Sequence, residues 1–495
     1  MPRHRFLHPG AFCPTVRMMK NIEINDAIHR TITLSQREQT VLDHPYVQRL
    51  RHIRQLGFVP LVFPSATHDR FSHSLGTLHV VSLMVRQLLL NDEYSVLART
   101  LSEEEKTFVT RIVRLAALLH DIGHAPFSHT AEKVMPAVSN LDIPLEWLRF
   151  PHENRPARHE DYSVLLLSGM SQGEGAVLGD DEPEIVASLI HHKKIKTPVS
   201  WMRHFSARVN APSLHRVARS LISSDLDADR MDYLLRDAHF AGVAYGQFDL
   251  PWLISNLGVV YEGDEYVMSI SDTGIHALEH YLFARYNMYT QVYMHKTVKC
   301  FDYYFQRALD EGELAYAIPA ARDRYAALRD ATLIEALFDA AGRRAHSWAG
   351  RLVRRDPAKR IARIWGNGKE VPRIFEKMSQ ELAHYRIIPF LHFSKSKFLD
   401  FEEAADGGIR RSTDDTLFQG LATVPFVVVR KHFGTVSIAS LADYAFLLKR
   451  YHDDVGVTDI YVLRDEYRAH ERTILEIVRK YRNLSPSERI IGEEL

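Results

Sequence analysis

The run His120-Asp121-Ile122-Gly123-His124-Ala125-Pro126-Phe127-Ser128-His129 places three imidazoles and a carboxylate within ten residues. Imidazole moves protons near neutral pH and binds metals. His120 and Asp121 offer a nitrogen and an oxygen to one ion. Such a set without thiolate suits Mg, Mn, Fe, Ni or Zn rather than Cu(I). His124 follows His120 by four residues, on the same face if the helix persists, and His129 lies beyond the break and can reach back. Two ligands rarely hold a divalent ion, so more are needed. Upstream, Asp69-Arg70-Phe71-Ser72-His73 sets His73 beside a cation. Downstream, Asp225, Asp229 and Asp232 recur at spacings of four and three, which is one helical face. Carboxylates on a partly apolar helix are costly unless a cation pairs with them. Spacing alone does not choose between Asp225 and Asp229.

These residues need helices to position them. Phe108, Ile112, Leu115 and Leu119 form one face of a helix predicted over 107–122. That face ends at His120, and Gly123 and Pro126 then break the helix. Residues 215–237 and 275–310 also read as helical, while 139–160 and 169–183 read as loops. The pair His191-His192 before two lysines reads as a solvated helix end. A basic stretch over 343–377 is the kind of sequence that usually forms a solvated face. After about 385, strands are expected at Val424–Val429 and Ile460–Leu463 and helices at 437–451 and 468–482. The fold class is mainly α, with a smaller C-terminal α+β module. The expected division is a flexible tail over 1–19, a helical domain over 20–310, a basic helical connector over 311–384 and the α+β module over 385–495.

Composition removes several function classes. The 495 residues hold 62 Lys and Arg against 62 Asp and Glu, so bulk positive charge for coating nucleic acid is absent. A local basic pocket is still compatible with that balance. The two cysteines, Cys13 and Cys300, exclude a disulfide framework or a Cys-rich zinc site and fit a reducing cytosol. No apolar run has the roughly 18–20 residues of a membrane span. The expected location is cytoplasmic.

The pattern H…HD…D over several helices resembles the HD-domain metallophosphohydrolases. The motifs RFSHSLG, GHAPFSH and DADRMDYLLRD resemble more narrowly their dNTP triphosphohydrolase branch, from about Asn25 to Lys296. That resemblance implies a helical HD core holding a divalent ion on His73, His120, Asp121 and Asp229. It implies proton-transfer and phosphate-contacting roles for His124, His129, His159 and Glu160, and phosphate-binding roles for Arg70 and Arg230. Gln55 and Asp237 match contacts to a sugar 3′-hydroxyl, and Leu56 the residue that disfavours a 2′-hydroxyl. Tyr233, Arg285, Tyr289 and Tyr293 match the substrate wall, although Tyr289 stands where the family has histidine. Asp225 reads as an ordinary acid or an orienting partner.

The implied reaction is attack at the α-phosphate of a dNTP, giving deoxynucleoside and tripolyphosphate. Asp43, Gln48 and Arg51, with Arg355 and Lys359, resemble contacts to an activating dNTP or GTP, which implies a homo-oligomer, dimer or tetramer. Ile22 stands where the human family member has a phosphate-contacting Lys, and only about 20 residues precede the patterned region, fewer than that member's extra N-terminal domain needs. Two other readings compete: an HD phosphodiesterase or nuclease, and a non-catalytic nucleotide-sensing module. Nucleic acid and membrane are not expected partners.

Overall fold

A computed structural model describes residues 21–173, 175–344, 346–365, 371–396, 426–432, 435–440, 455–482 and 489–492. The expected tail over 1–19 lies outside these residues.

The protein is mainly helical, with strands concentrated at the hairpin near residue 30, at 257–271 and after residue 358. The elements that carry the site are α1 (Arg70–Leu90), α2 (Glu103–Leu119), α3 (His159–Gly169), α4 (Glu182–Ile190), α5 (Ala228–Ala241) and α6 (Ile275–Met288). Three more frame them: α7 (Lys296–Asp310), α8 (Asp330–Arg343) and α9 (Val371–Ala383). The last is α10 (Arg464–Arg482).

Local chemistry starts these helices where they start. Asp69 caps α1 by accepting from Ser72 N at 2.8 Å, and Asp227 caps α5 by accepting from Arg230 N at 2.8 Å. Ser102 and Glu105 form a reciprocal capping box on α2. Gly242 closes α5 at φ +69°, a conformation that costs glycine nothing. α1 packs against both α2 and α5 and is buried along most of its length. One apolar core joins α1 to α6 and takes in Leu78, Ile112, Leu165 and Met231.

The strands form three sheets. β1 (Ile22–Asp26) and β2 (Arg30–Leu34) make an antiparallel hairpin. β3 (Leu257–Glu262) and β4 (Glu265–Ser271) pair antiparallel, and β4 then pairs parallel with β7 (Phe426–His432), which pairs with β8 (Thr435–Ser440). The remaining sheet runs β10-β5-β9-β6, all antiparallel: β10 (Arg489–Gly492), β5 (Lys359–Trp365), β9 (Val455–Val462) and β6 (Phe390–Ser396). α9 and α10 cover it with Met378, Leu382, Ile474 and Val478. A third cluster joins Phe301, Phe305, Leu333, Phe390 and Tyr461 to Phe58 and Phe127, beside the His-rich turn.

Several expectations need correction. The stretch 215–237 is not one helix: Ala211–Ser220 ends and α5 begins at Ala228, because Asp227 caps a new start. The stretch 275–310 is interrupted by a π-helical turn at Tyr289–Tyr293. The connector is not wholly helical, since Lys359–Trp365 is a strand of the sheet that also holds Val455–Val462. Residues 437–440 lie in strand β8 rather than a helix, as Val436 and Ile438 alternate with polar neighbours; 441–451 lies outside the described residues. Val424–Val429 falls largely on β7, Ile460–Leu463 on β9, and 468–482 within α10.

α1 and α5 pack tightly at Gly76, where an added Cβ would collide with Asp232 and Arg236. Gly76→Ala is therefore expected to lower stability by about 1–3 kcal/mol through forced displacement. Urea denaturation checks this, and an unchanged midpoint would contradict the packing.

Candidate metal and phosphohydrolase site

Three elements deliver the cluster. α1 supplies His73 from its first turn, α2 ends at His120 and Asp121, and α5 supplies Asp229 from its first turn. His120 Nδ1 lies 2.8 Å from the Ala117 carbonyl, which can only accept, so Nδ1 carries the hydrogen and Nε2 the lone pair. His73 Nδ1 lies 2.7 Å from Asp232 Oδ2 and donates to it, which again leaves Nε2 as acceptor. The two Nε2 atoms face each other at 3.3 Å. Asp229 Oδ1 lies 3.0 Å from His73 Nε2 and 3.6 Å from His120 Nε2. Asp121 Oδ1 lies 3.3 Å from His120 Nε2.

In the neutral tautomers of His73 and His120, lone pairs and carboxylate oxygens thus converge with no hydrogen between them. Such a group fits a divalent cation. Ligand atoms of His73, His120 and Asp121 all lie within 4.8 Å of one another, with all three residues buried. The field has the matching sign. Burial alone would lower the His73 pKa, yet hydrogen bonds to Asp229 and Asp232 hold it up to about 10. Burial likewise disfavours charge on His120, and Asp121 and Asp229 outweigh it and raise the pKa. Asp229, despite burial, is held far below the ordinary carboxylate range by His120 and His73.

The orienting partners were only partly visible in the sequence. Asp232 binds His73, and it also sits 2.6 Å from His29 Nε2 and 2.9 Å from Arg236 Nε. Arg236 in turn holds Asp26 at 2.8 Å. The hairpin β1–β2 thus braces a ligand through Asp232. Spacing singled out Asp232 as a member of an acidic face. Nothing local marked His29 or Asp26.

Beside the cluster stands a second His pair. The rings of His124 and His159 stack at 3.8 Å and 16°. His159 Nδ1 lies 2.5 Å from Glu132 Oε1 and 3.5 Å from Glu160 Oε2. Burial works against its protonation, but Glu160 and Glu132 prevail and hold its pKa up to about 9. His124 goes the other way, pushed well below its usual value by burial, Arg70 and His159. Its Nε2 is 3.3 Å from Asp121 Oδ1. His129 has its backbone in the turn Ser128–Val134, and its side chain lies outside the described residues.

The turn between these groups is strained. Phe127 and Ser128 sit at φ +56° and +55°, a left-handed region that costs a non-glycine residue roughly 1–2 kcal/mol. Asp330, on the first turn of α8, accepts from Phe127 N at 3.0 Å and from Arg54 N at 3.0 Å, and so ties this turn to the segment bearing Gln55 and Leu56. Ser128 Oγ donates to the Arg54 carbonyl at 2.8 Å and accepts from Arg70 Nε at 2.9 Å. Arg70 also pairs with Asp121. Sequence reading gave no role to Asp330, Glu132 or His29, because each acts through the fold from a distant element.

The remaining expected residues fall in two places. Asp237 accepts from Tyr293 OH at 2.6 Å and from His68 Nε2 at 2.8 Å. Gln55 is buried, and its Oε1 has no hydrogen-bond partner among the described residues, so it is an acceptor open to a donor. Leu56 is half-buried against the core. Tyr293 meets Tyr233 and Tyr289 edge to face at 6.2 and 5.2 Å. Arg230 pairs with Asp227, and Arg285 pairs with Asp225 at 2.9 Å. Asp225 therefore stands on the cation wall rather than among the ligands.

Gln48 accepts from Arg51 Nε at 2.9 Å, Arg51 lies 3.5 Å over the Phe71 ring, and Asp43 is exposed nearby in sequence. Arg355 instead donates to the Leu61 carbonyl at 2.6 Å, and Lys359 lies 5.3 Å over the Tyr467 ring. His191, expected as solvated, is buried at the end of α4, 3.2 Å from Asp161.

Two outcomes follow from the ligand geometry. Asp232→Asn is expected to weaken divalent-ion affinity about 10- to 100-fold, with the ligands themselves intact. Titration calorimetry reads this, and an unchanged affinity would contradict the bracing role. Protons compete with the ion for His73 and His120, whose pKa values are raised. Affinity is expected to climb as pH rises from 6 to 8; a flat profile would contradict the ligand set.

Comparison with known proteins agrees with this geometry. The HD domain family matches residues 70–237, and the HD associated region matches 248–386. The protein MJ1154 of Methanocaldococcus jannaschii is 34% identical over 288 residues, covering 58% of this chain and 49% of its own. Human SAMHD1, a deoxynucleoside triphosphate triphosphohydrolase, is 27% identical over 288 residues, covering 56% of this chain and 42% of its own. The chain spans about half the length of the curated relatives it matches. A crystal structure of a hypothetical protein from Aquifex aeolicus shares the fold, with a TM-score of 0.63 at 23% identity over 93% of this chain and 100% of that one. Among the described residues, no helix is long and apolar enough to cross a membrane. The His73–His120–Asp121–Asp229 cluster thus sits within the segment 70–237, which is an HD domain, and deoxynucleoside triphosphate triphosphohydrolases are among the proteins the chain is similar to.

Proposed function

We propose that this protein is a divalent-metal-dependent phosphohydrolase that cleaves dNTPs to deoxynucleoside and tripolyphosphate. The observation that carries the reading is one neighbourhood: an acceptor-only ligand cluster touches Arg70 through Asp121 and adjoins the His124–His159 stack. His73, His120, Asp121 and Asp229 would hold the ion. When bound, a divalent ion supplies Lewis acidity towards a phosphoryl oxygen and a more acidic water.

The chain's own groups divide the rest of the work. Arg70, and further out Arg230 and Arg285, balance charge that builds on the phosphoryl oxygens. Water adds to the α-phosphorus, the bond to the 5′-oxygen breaks, and that oxygen must take a proton. His159 is the acid assigned to this step: Glu132 holds its Nδ1–H, which directs the other ring nitrogen elsewhere, and two carboxylates keep it protonated. His124, kept neutral, would accept a hydrogen bond from water. Gln55 Oε1 and the Asp237 carboxylate are acceptors suited to a sugar 3′-hydroxyl, and the half-buried Leu56 leaves little room beside it. Tyr233, Tyr289 and Tyr293 supply ring edges and faces for the nucleoside.

An activating dNTP or GTP at Asp43, Gln48 and Arg51, completed by Arg355 and Lys359 of a second copy in a homo-oligomer, belongs to the same proposal. It is supported by the joined Gln48–Arg51 pair beside the exposed Asp43.

The test incubates metal-supplemented protein with each dNTP, singly and mixed, and separates products by anion exchange. Tripolyphosphate and deoxynucleoside are expected, and His120→Ala should lower the rate by at least about 100-fold. Release of dNMP and pyrophosphate would overturn the assigned bond. Cleavage of oligonucleotides with dNTPs untouched would favour a phosphodiesterase instead.

A further inference from the structure

The π-helical turn Tyr289–Tyr293 carries Tyr293, whose hydroxyl reaches Asp237, and Tyr289, whose ring meets that of Tyr293 edge to face, and such turns are intrinsically unfavourable unless held. Its exit is closed by Met294 N donating to the Tyr289 carbonyl at 2.8 Å. The carbonyls that follow are gripped from outside the helical domain. Arg363 of β5 donates from Nη2 to the Met294 carbonyl at 3.1 Å, and Tyr461 of β9 donates from its hydroxyl to the Lys296 carbonyl at 2.8 Å.

Both gripping groups are themselves fixed. Arg363 stands directly across the β5–β9 ladder from Asp459, and the pair is bidentate: Nε to Oδ1 and Nη2 to Oδ2, each at 2.7 Å. Asp459 is buried, and Arg360 approaches the same carboxylate at 3.4 Å. The Tyr461 ring is fully buried and stacks on Phe390 at 5.3 Å and 14°. A rigid fork and a locked phenol therefore meet the Met294 and Lys296 carbonyls just past the turn. Within the turn, Tyr293 OH reaches Asp237 at 2.6 Å.

We infer that the C-terminal sheet positions the tyrosine wall of the site: Arg363 and Tyr461 act as positioning residues that hold the turn at 289–296 so that Tyr289 and Tyr293 present their rings to the bound nucleoside. The consequence for substrate rests on the reading of the site as a nucleotide site, whereas the hold on the turn does not. Because both contacts lie at the nucleoside end, away from the ligand cluster, loosening them alters how well substrate binds and leaves the metal and the proton donor in place.

The full-length, metal-loaded protein carries the test, as Tyr461→Phe, Arg363→Met and Arg363→Lys. Tyr461→Phe removes one hydroxyl and keeps the buried ring, so it preserves the core if the arginine variants fold poorly. Two readouts are taken on each. Hydrogen–deuterium exchange over 289–296 should quicken by about 3- to 10-fold, the loss expected for one hydrogen bond. KM for dNTP should rise by a similar factor, with kcat within about twofold and metal content unchanged, and Arg363→Lys should recover part of what Arg363→Met loses. Unchanged exchange in both Tyr461→Phe and Arg363→Met overturns the inference. So does faster exchange with KM unmoved, or a fall in kcat with KM unmoved. If wild-type protein leaves dNTPs intact, the nucleotide reading fails, and the exchange measurement still decides whether the sheet holds the turn.

Discussion

Two imidazole nitrogens and two carboxylates pointing at one another in a protein interior form an arrangement that is stable only around positive charge. An isolated buried charge costs several kcal/mol, and like groups at about 3–4 Å repel strongly where water is excluded. The tautomers leave no freedom here. His120 must donate to Ala117 and His73 must donate to Asp232, so neither can offer a proton inward while neutral. Much of the surrounding fold serves to keep these acceptors together. α1 and α5 meet at a glycine so that Asp232 can reach His73, and the β1–β2 hairpin supplies His29 and Asp26 to keep Asp232 and Arg236 in register.

A second constraint acts on the turn that leaves the cluster. Phe127 and Ser128 hold left-handed backbone without being glycine, and the compensation comes from a distant helix through Asp330. The same carboxylate also fixes Arg54, and through it the approach to Gln55 and Leu56. The region after residue 248 is thus structurally continuous with the site. α8 braces the strained turn, and the C-terminal sheet grips the exit of the tyrosine turn. The two ends of a bound nucleotide would be governed by different parts of the chain, phosphate chemistry by α1, α2 and α5, and the nucleoside by segments tied to β5 and β9.

How much of this was legible depended on how local the cause was. His120 and Asp121 stood out because an apolar helical face ended on them, which is a pattern of one element. Asp225, Asp229 and Asp232 shared a periodicity that could not rank them. The fold sends the first to Arg285, the second to the cluster and the third to His73, and only the resemblance of the surrounding motif had separated Asp229. His29 pairs with a residue 203 positions away, and Glu132 and Asp330 act across loops, so no spacing rule reaches them. The misread elements have equally local reasons. A cap at Asp227 restarted a helix that periodicity ran together, and a six-residue segment at Thr435–Ser440 with apolar residues at Val436 and Ile438 is too short to separate strand from helix until its pairing with β7 is known.

The central claim is that His73, His120, Asp121 and Asp229 hold one divalent ion. Diffraction from crystals grown with Mn, with data collected at and below the metal's absorption edge, tests it most directly. The account predicts an anomalous peak bonded to all four side chains, lost in His120→Ala crystals. A peak elsewhere, or none at this cluster in metal-saturated wild-type crystals, would contradict it.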